Sequence, residues 1–307
     1  MRPASGGALE PALAGVELAE FARWPDAPPL DVEDYAQVPG WELHGELALG
    51  LARRCRELAS AGSPVVVTHG TDTIEETVWL ADLLLPDDAA PVVVTGAQIP
   101  ASEPYSDGPR NFRDAVEAAM APALRGLGAL VCFHGELHAA RDVRKVHTSA
   151  FAAFASRGYG PLGSVDRGRV RIERRPLRRP PLPDPRERLP RVDLVRLYAG
   201  ADGAFVRASV AAGARAVVLE GTGRGNAGAA VLAAVRDALA AGVVVAVCSR
   251  CEEGRVEPVY GRGGGAELAA AGALFGGDLA GPKVRILLQL ALAAGVDPAE
   301  ALAAEAG

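Results

Sequence analysis

Short runs of β-branched, apolar residues alternate with polar loops along the first half of the chain. Three such runs occupy residues 64–68, 91–95 and 128–133. Their length and near-continuous apolar character are typical of strands buried on both faces of a parallel sheet. The segments at residues 74–85 and 109–120, which follow the first two runs, have the composition of helices. Strands that alternate with helices predict a parallel sheet with right-handed crossovers.

The same alternation resumes in the second half of the chain. Strands are predicted at residues 192–197, 216–219 and 243–247, and helices at residues 227–240 and 286–294. The pattern therefore predicts a second α/β unit that is smaller than the first.

A segment rich in proline and arginine separates the two halves. Residues 174–183 (RRPLRRPPLP) cannot form a helix or a central strand and are typical of an interdomain linker. The arginines also suggest a phosphate-binding patch, but no aromatic residues interleave with them, which favours a solvated linker. We predict an α/β protein with a parallel-sheet N-terminal domain at residues 1–175, a linker at residues 176–191, and a smaller α/β C-terminal domain at residues 192–307.

Charge and hydropathy narrow the possible functions. The chain has 307 residues, a formal net charge of −6 and a pI of about 5.5. This acidic balance argues against nucleic-acid binding, which needs a basic face. No apolar run has the length of a membrane-spanning helix, and residues 1–15 lack the basic start and apolar stretch of a signal peptide. We therefore expect a cytoplasmic protein that does not associate with membranes.

The four cysteines are too few and too scattered for a disulfide framework. Cys248 and Cys251 have the spacing of a redox motif or of half a zinc site. Because no second cysteine or histidine pair stands near them in the sequence, we interpret them as incidental thiols and predict no metal.

The polar turn after the first predicted strand carries the clearest chemistry. Ligands of open α/β sheets bind at the carboxyl ends of strands, and Thr71 and Asp72 stand at such an end. A threonine hydroxyl becomes a good nucleophile only when a base removes its proton. A buried lysine can serve as that base, because desolvation lowers its pKa. Lys145 is a candidate, since it lies in a polar segment after the third strand and is expected at the same edge of the sheet. Asp72 is a candidate for binding the ammonium group of an amino-acid substrate.

A purely structural interpretation of these residues is also open. Thr73 and Glu76 have the spacing of a capping box, so part of the turn would serve only to start a helix. Lys145 alone is typical of a solvated surface lysine. Local chemistry by itself favours capping over catalysis.

Longer motifs favour catalysis. Residues 68–77 (THGTDTIEET) closely resemble the second signature of the bacterial L-asparaginase/glutaminase family, and residues 91–97 and 105–111 resemble the segment that follows it. Further blocks that resemble this family, in the same order along the chain, are GYGPLG at 158–163, GTGRGN at 221–226 and GPKVR at 281–285.

The resemblance implies an amidohydrolase that converts L-asparagine to L-aspartate and ammonia through a threonine acyl-enzyme, without a metal or organic cofactor. Thr71, activated by Lys145, and Asp72 match one catalytic cluster of the family, and Asp72 would bind the α-ammonium group of the amide substrate. Asn226 matches a residue that supports the same site, and His69 and Gly70 would shape the loop. Because sites of this family lie between subunits, a homodimer or homotetramer is implied.

The sequence departs from the family pattern in two regions. The family opens with a strand that ends in Thr-Gly-Gly-Thr-Ile-Ala and supplies the usual nucleophile, whereas residues 1–7 here resemble the mobile loop after that motif. The flap tyrosine also has no counterpart, since the first tyrosine is Tyr35. The Ser-Gln pair that binds the α-carboxylate aligns with Gly40 and Trp41. The backbone N–H of Gly40 could still bind a carboxylate, whereas Trp41 would narrow the pocket or simply pack.

Three hypotheses follow from the missing first motif. In the hypothesis that we favour, the natural start lies upstream and the longer protein is active. Alternatively the chain is complete and Thr71 with Lys145 gives weak activity or none. The third alternative is a catalytically inactive, amino-acid-binding relative. A subunit of a tRNA-dependent amidotransferase is a related possibility that the acidic balance supports little.

Overall fold

The computed structural model of the chain describes residues 2–3, 9–10, 14–21, 23–186 and 188–306. The chain divides into two compact units, Met1–Pro181 and Leu182–Gly307, which are described separately. Within the described ranges, none of the helices combines the length and the apolar character needed to cross a bilayer. The segment 1–7, compared above with a mobile loop, lies largely outside the described residues.

Among the described residues, the first unit contains ten strands, four α-helices and two short 3₁₀ helices at Gly40–Glu42 and Pro122–Leu124. The strands are β1 (Arg2–Pro3), β2 (Leu9–Glu10), β3 (Val65–Thr68), β4 (Val92–Thr95), β5 (Ala129–Phe133), β6 (Glu136–Ala139), β7 (Arg144–Lys145), β8 (Phe154–Ala155), β9 (Gly163–Asp166) and β10 (Arg169–Ile172). The helices are α1 (Gly15–Phe21), α2 (Gly45–Ser60), α3 (Ile74–Asp82) and α4 (Gly108–Met120).

The main sheet of this unit has six strands in the order β10-β9-β6-β5-β4-β3. The three predicted strands, β3, β4 and β5, are parallel neighbours as expected. The other pairs are antiparallel, which the alternation of strands and helices did not predict. For β5–β6 and β9–β10 the reason lies in the two-residue turns His134–Gly135 and Arg167–Gly168, in which every residue has a positive φ. Such turns match the twist of antiparallel hairpins.

Packing fixes the two helices that follow β3 and β4. Val93, Ala115 and Leu130 belong to one buried cluster that joins α4 to the sheet. Helix α3 buries Ile74 and Trp79, which are 0% and 1% exposed. Since both helices follow parallel strands, the loops that precede them lie at the same edge of the sheet.

The second unit contains a four-stranded sheet in which all neighbouring strands are parallel. Its elements are β11 (Val192–Arg196), β12 (Ala216–Gly221), β13 (Val244–Ser249) and β14 (Leu274–Phe275), with helices α5 (Ala204–Ala211), α6 (Ala229–Ala240), α7 (Gly265–Ala271), α8 (Gly281–Ala294) and α9 (Pro298–Ala306). The helix predicted at 286–294 begins earlier, at Gly281, because Pro282 suits the first helical turn.

The arginine-rich segment is less solvated than the sequence suggested. The side chain of Arg178 is only 11% exposed. Its guanidinium donates to the carbonyl of Leu85 at 3.1 Å and to the carboxylate of Asp87 at 3.1 Å, just beyond the end of α3. Cationic side chains stabilise the unpaired carbonyls at helix C-termini, so this part of the linker belongs to the packing of the first unit.

Candidate active site

The candidate site lies where β3 ends and α3 begins. Thr71 and Asp72 occupy the turn between these elements, and the backbone N–H of His69 donates to the carbonyl of Thr95 at 2.9 Å. The turn is therefore joined to the end of the neighbouring strand β4. The site occupies the carboxyl edge of the sheet that the sequence pattern predicted.

Lys145 meets both Thr71 and Asp72 at this edge. Its Nζ lies 2.8 Å from Thr71 Oγ1 and 2.6 Å from Asp72 Oδ1, although more than seventy residues separate them in the chain. The side chain of Lys145 is 14% exposed and that of Asp72 is 55% exposed. The structure thus places a shielded amine against the hydroxyl and leaves the carboxylate open to solvent.

Two hydrogen bonds of the His69 ring hold the turn in place. Its Nδ1 lies 2.6 Å from the carbonyl oxygen of Gly70, and its Nε2 lies 2.9 Å from Thr77 Oγ1. Burial lowers the pKa of His69, and the hydrogen bond to Gly70 opposes that effect in part. The neutral ring then donates from Nδ1 to Gly70 and accepts from the hydroxyl of Thr77. His69 therefore holds the backbone next to Thr71.

Gly40 is buried against the same turn. A Cβ at Gly40 would lie 3.0 Å from the carbonyl oxygen of Gly70, so only glycine fits this close approach without movement. Thr73 Oγ1 donates to the carbonyl of Gly40 at 2.6 Å, and Trp41, next in the chain, is 56% exposed. The structure therefore brings Gly40 and Gly70 together and leaves the ring of Trp41 largely in solvent.

The capping hypothesis is only partly correct. Thr73 does occupy the N-cap position of α3, but no side-chain capping hydrogen bond forms there. Its hydroxyl is used instead to bind the segment that carries Gly40. The turn consequently serves tertiary contacts in addition to starting a helix.

A second layer of polar residues supports the loop after β4. Asp107 accepts hydrogen bonds from the backbone N–H groups of Gln98 at 3.1 Å and Ile99 at 2.9 Å. Asn111, 1% exposed, donates to the carbonyl of Gly96 and to Asp107, and accepts from the backbone N–H of His134. In the sequence, Asp107 and Asn111 belong only to a block that resembles the family, and neither of them has a predicted role.

Asn226 lies in the second compact unit, in the turn after β12. Its Oδ1 accepts a hydrogen bond from the backbone N–H of Gly265 at 3.2 Å, and its backbone pairs with Thr222. These contacts fix the turn within its own unit. The predicted contribution of Asn226 to the Thr71 site stays a prediction.

The remaining candidate, the Cys248 and Cys251 pair, holds one buried and one exposed thiol. The thiol of Cys248 donates to the carbonyl of Leu219. Across the described ranges no three or more histidine, cysteine, aspartate or glutamate side chains are grouped to hold a metal ion.

Comparison with known proteins gives matches along nearly the whole chain. Residues 1–178 match the family domain described as "Asparaginase, N-terminal", and residues 191–303 match the "Glutaminase/Asparaginase C-terminal domain". The chain is 36% identical to the L-asparaginase of Bacillus licheniformis over 292 residues, which cover 94% of this chain and 90% of that protein.

Two further relatives are similar over most of their length. The probable L-asparaginase of Deinococcus radiodurans is 40% identical over 249 residues, covering 79% of this chain and 74% of the relative. L-asparaginase 2 of Escherichia coli is 33% identical over 271 residues, covering 87% and 76%.

Proposed function

The chain belongs to the asparaginase family, and from this premise we propose that it is an amidohydrolase that converts L-asparagine to L-aspartate and ammonia. The observation that carries the proposal is the contact of Lys145 Nζ with Thr71 Oγ1 and Asp72 Oδ1. A hydroxyl next to a base can form an acyl-enzyme, and a carboxylate can bind the ammonium group of an amino-acid amide.

In the proposed first step, Thr71 Oγ1 attacks the side-chain carboxamide carbon of asparagine. The hydroxyl proton passes over 2.8 Å to Lys145 Nζ, which acts as the base. The C–N bond then breaks, the proton is returned to the leaving nitrogen, and ammonia departs. The product of this step is an ester between Thr71 and the aspartyl group.

In the second step, water attacks the ester carbon and gives its proton to Lys145. The ester bond breaks, the proton returns to Thr71 Oγ1, and aspartate is released. Both steps pass through a tetrahedral oxyanion. The backbone N–H groups in the first turn of a helix have no helical partners and are oriented to stabilise such an oxyanion, and α3 begins directly after Thr73.

The solvent-exposed groups of the site suggest how the substrate would be oriented. The carboxylate of Asp72, more than half exposed, would bind the α-ammonium group, while the Gly40–Gly70 contact would present backbone N–H groups to the α-carboxylate. We propose that Trp41 borders this pocket and, from the family resemblance, that Asn226 contributes to substrate binding. The proposal includes a homodimer or homotetramer without a resident cofactor, acting in the cytoplasm on a free amino acid and not on nucleic acid.

The test is ammonia release from L-asparagine and L-glutamine by the purified chain and by Thr71→Val. The valine keeps the side-chain shape and removes the hydroxyl, so kcat should fall by about three orders of magnitude or more. Thr148→Val, which removes an exposed hydroxyl on the loop after Lys145, is the matched control. Trapping with hydroxylamine should yield aspartyl hydroxamate only when Thr71 is present.

Two results would contradict the proposal. Binding of asparagine without ammonia release would favour the catalytically inactive, amino-acid-binding alternative. Undiminished turnover by Thr71→Val would remove Thr71 from the reaction. Light scattering on the active sample and cell fractionation test the proposed oligomer and location separately.

A further inference from the structure

Glu75 connects the helix at the candidate site to the backbone of Lys145. The backbone N–H of Lys145 donates to Glu75 Oε2 at 2.9 Å, across 70 residues of sequence. We propose that Glu75 is a positioning residue, whose carboxylate holds the main chain of Lys145 so that the amine reaches Thr71. This inference rests on the proposed function, because it assigns Glu75 to the placement of the base.

Lys145 lies in the hairpin formed by β7 and β8, whose ladder does not use the N–H of Lys145. Lys145 pairs with Phe154 in the antiparallel β7–β8 ladder, and the next residue, Val146, donates its N–H to the carbonyl of Ala153 at 2.8 Å. Hydrogen-bonded and non-hydrogen-bonded pairs alternate in such a ladder. The N–H of Lys145 therefore points away from β8, and Glu75 is the acceptor it meets.

Lys145 is consequently held at both ends by the start of one helix. Its main chain is bound by Glu75, the second residue of α3, and its Nζ is bound by Thr71 and Asp72 in the turn just before. The amine of Lys145 and the hydroxyl of Thr71 are therefore both held by α3 and the turn before it. A displacement of about 1 Å at a reacting group can reduce turnover about 100-fold, so a backbone anchor of this kind affects the chemistry directly.

A simpler role for Glu75 is the favourable interaction of any acidic residue with a helix N-terminus. Glu76 offers a matched control, because it carries the same charge in the same first turn of α3. An effect on turnover that is seen at Glu75 and not at Glu76 separates the contact with Lys145 from helix electrostatics.

The hairpin has other anchors, so it should stay folded without Glu75. The side-chain amide of Gln98 donates to the carbonyl of Thr148 at 2.6 Å, and His138 Nδ1 lies 3.0 Å from Ser156 Oγ, just after β8. Removal of the Glu75 acceptor therefore changes the placement of Lys145 without unfolding the segment.

The kinetic experiment compares Glu75→Met, Glu75→Gln and Glu76→Met in the full chain, with circular dichroism as the check of folding. Methionine keeps the methylene packing and helix propensity but removes the oxygen acceptor. We expect Glu75→Met to lower kcat about 10- to 100-fold with little change in KM. Glu75→Gln, which retains an acceptor oxygen, should recover most of the activity. Glu76→Met removes a charge from the same helical turn but leaves the acceptor of the Lys145 N–H in place, so it should lower kcat less than Glu75→Met. Equal kcat for Glu75→Met and the unaltered protein, or equal losses for the Met and Gln variants, would overturn the proposal.

A second readout does not depend on activity. Lys145 and Lys283 are the only lysines of the sequence, so reductive ¹³C-methylation gives few NMR signals, and Lys145→Arg assigns one by its loss. Glu75→Met should shift the Lys145 signal and Glu76→Met should not. An unmoved signal in Glu75→Met overturns the positioning role whether or not asparagine is hydrolysed. A moved signal in a protein that releases no ammonia supports the placement and rejects the hydrolase.

Discussion

The backbone of Gly96 passes so close to the carbonyl oxygen of His69 that a Cβ at residue 96 would overlap it. The two residues follow the ends of β4 and β3, and the adjoining hydrogen bond from His69 N–H to Thr95 O keeps the strand ends together. The approach leaves no room for a side chain at residue 96. This close contact fixes the backbone at His69, next to the turn that carries Thr71.

Gly96→Ala should therefore destabilise the first unit and displace the turn. The overlap is with backbone, which cannot rotate away, so we expect a loss of about 2 kcal/mol or more in the free energy of unfolding, together with lower kcat. Urea denaturation measures the first quantity and ammonia release the second. Gly261→Ala is the control, because a Cβ there meets no atom within 4 Å. Similar stability of the two variants would contradict the close approach.

Lys145→Arg should abolish most of the activity although it conserves the charge. A guanidinium stays protonated at any practical pH and cannot accept the proton of Thr71. We expect kcat to fall about 100- to 10,000-fold, the range of general-base catalysis. Arg144→Lys, the reverse exchange at the neighbouring position, is the control and should leave ammonia release nearly unchanged. An active Lys145→Arg enzyme would show that residue 145 binds charge and does not move a proton.

His69 should make the protein less stable in mild acid. Burial lowers its pKa in the folded protein, so below the unfolded value of about 6.5 the unfolded chain binds a proton that the folded chain does not. Stability is then lost as the pH falls from about 6.5, with a slope of at most about 1.4 kcal/mol per pH unit from this group.

The measurement for His69 is urea unfolding at several pH values for the unaltered protein and for His69→Gln. Glutamine retains a donor and an acceptor but does not titrate. The four other histidines are common to both proteins, so their contributions cancel in the difference. Parallel stability curves would show that His69 does not titrate differently on folding.

Arg178→Met should destabilise the first unit by about 1–3 kcal/mol, since it leaves carbonyl and carboxylate acceptors near the end of α3 without their cationic donor. Arg175→Met, at an exposed arginine three residues earlier, should be nearly neutral. Chemical denaturation of both variants decides between a packed and a solvated linker. Equal stabilities would restore the solvated interpretation.

The sequence predicted the parallel part of the fold and the meeting of Thr71 with Lys145 for a simple physical reason. Near-continuous valine runs indicate buried parallel strands, and parallel strands bring the loops at their carboxyl ends to one edge. Lysine also stands out at residue 145, because 30 of the 32 basic residues are arginine and only lysine can release its proton.

Other features depended on information that local patterns do not hold. The antiparallel hairpins β5–β6 and β9–β10 follow from positive φ angles at His134 and Arg167, residues that give little sign of such turns. The contact of Glu75 with Lys145 joins residues 70 apart, and in sequence Glu75 resembles an ordinary acidic residue at a helix start. The packing of Arg178 likewise depends on where α3 ends in space.

Because Thr71, Asp72 and Glu75 are all carried by the start of α3, and α3 is anchored by the buried Ile74 and Trp79, catalytic competence and local melting of this helix are coupled. Loss of the buried packing of α3 on heating should therefore end turnover. Under the proposed function, substitutions of Trp41, which is 56% exposed and lies outside this helix, are expected to alter amide selectivity without loosening α3.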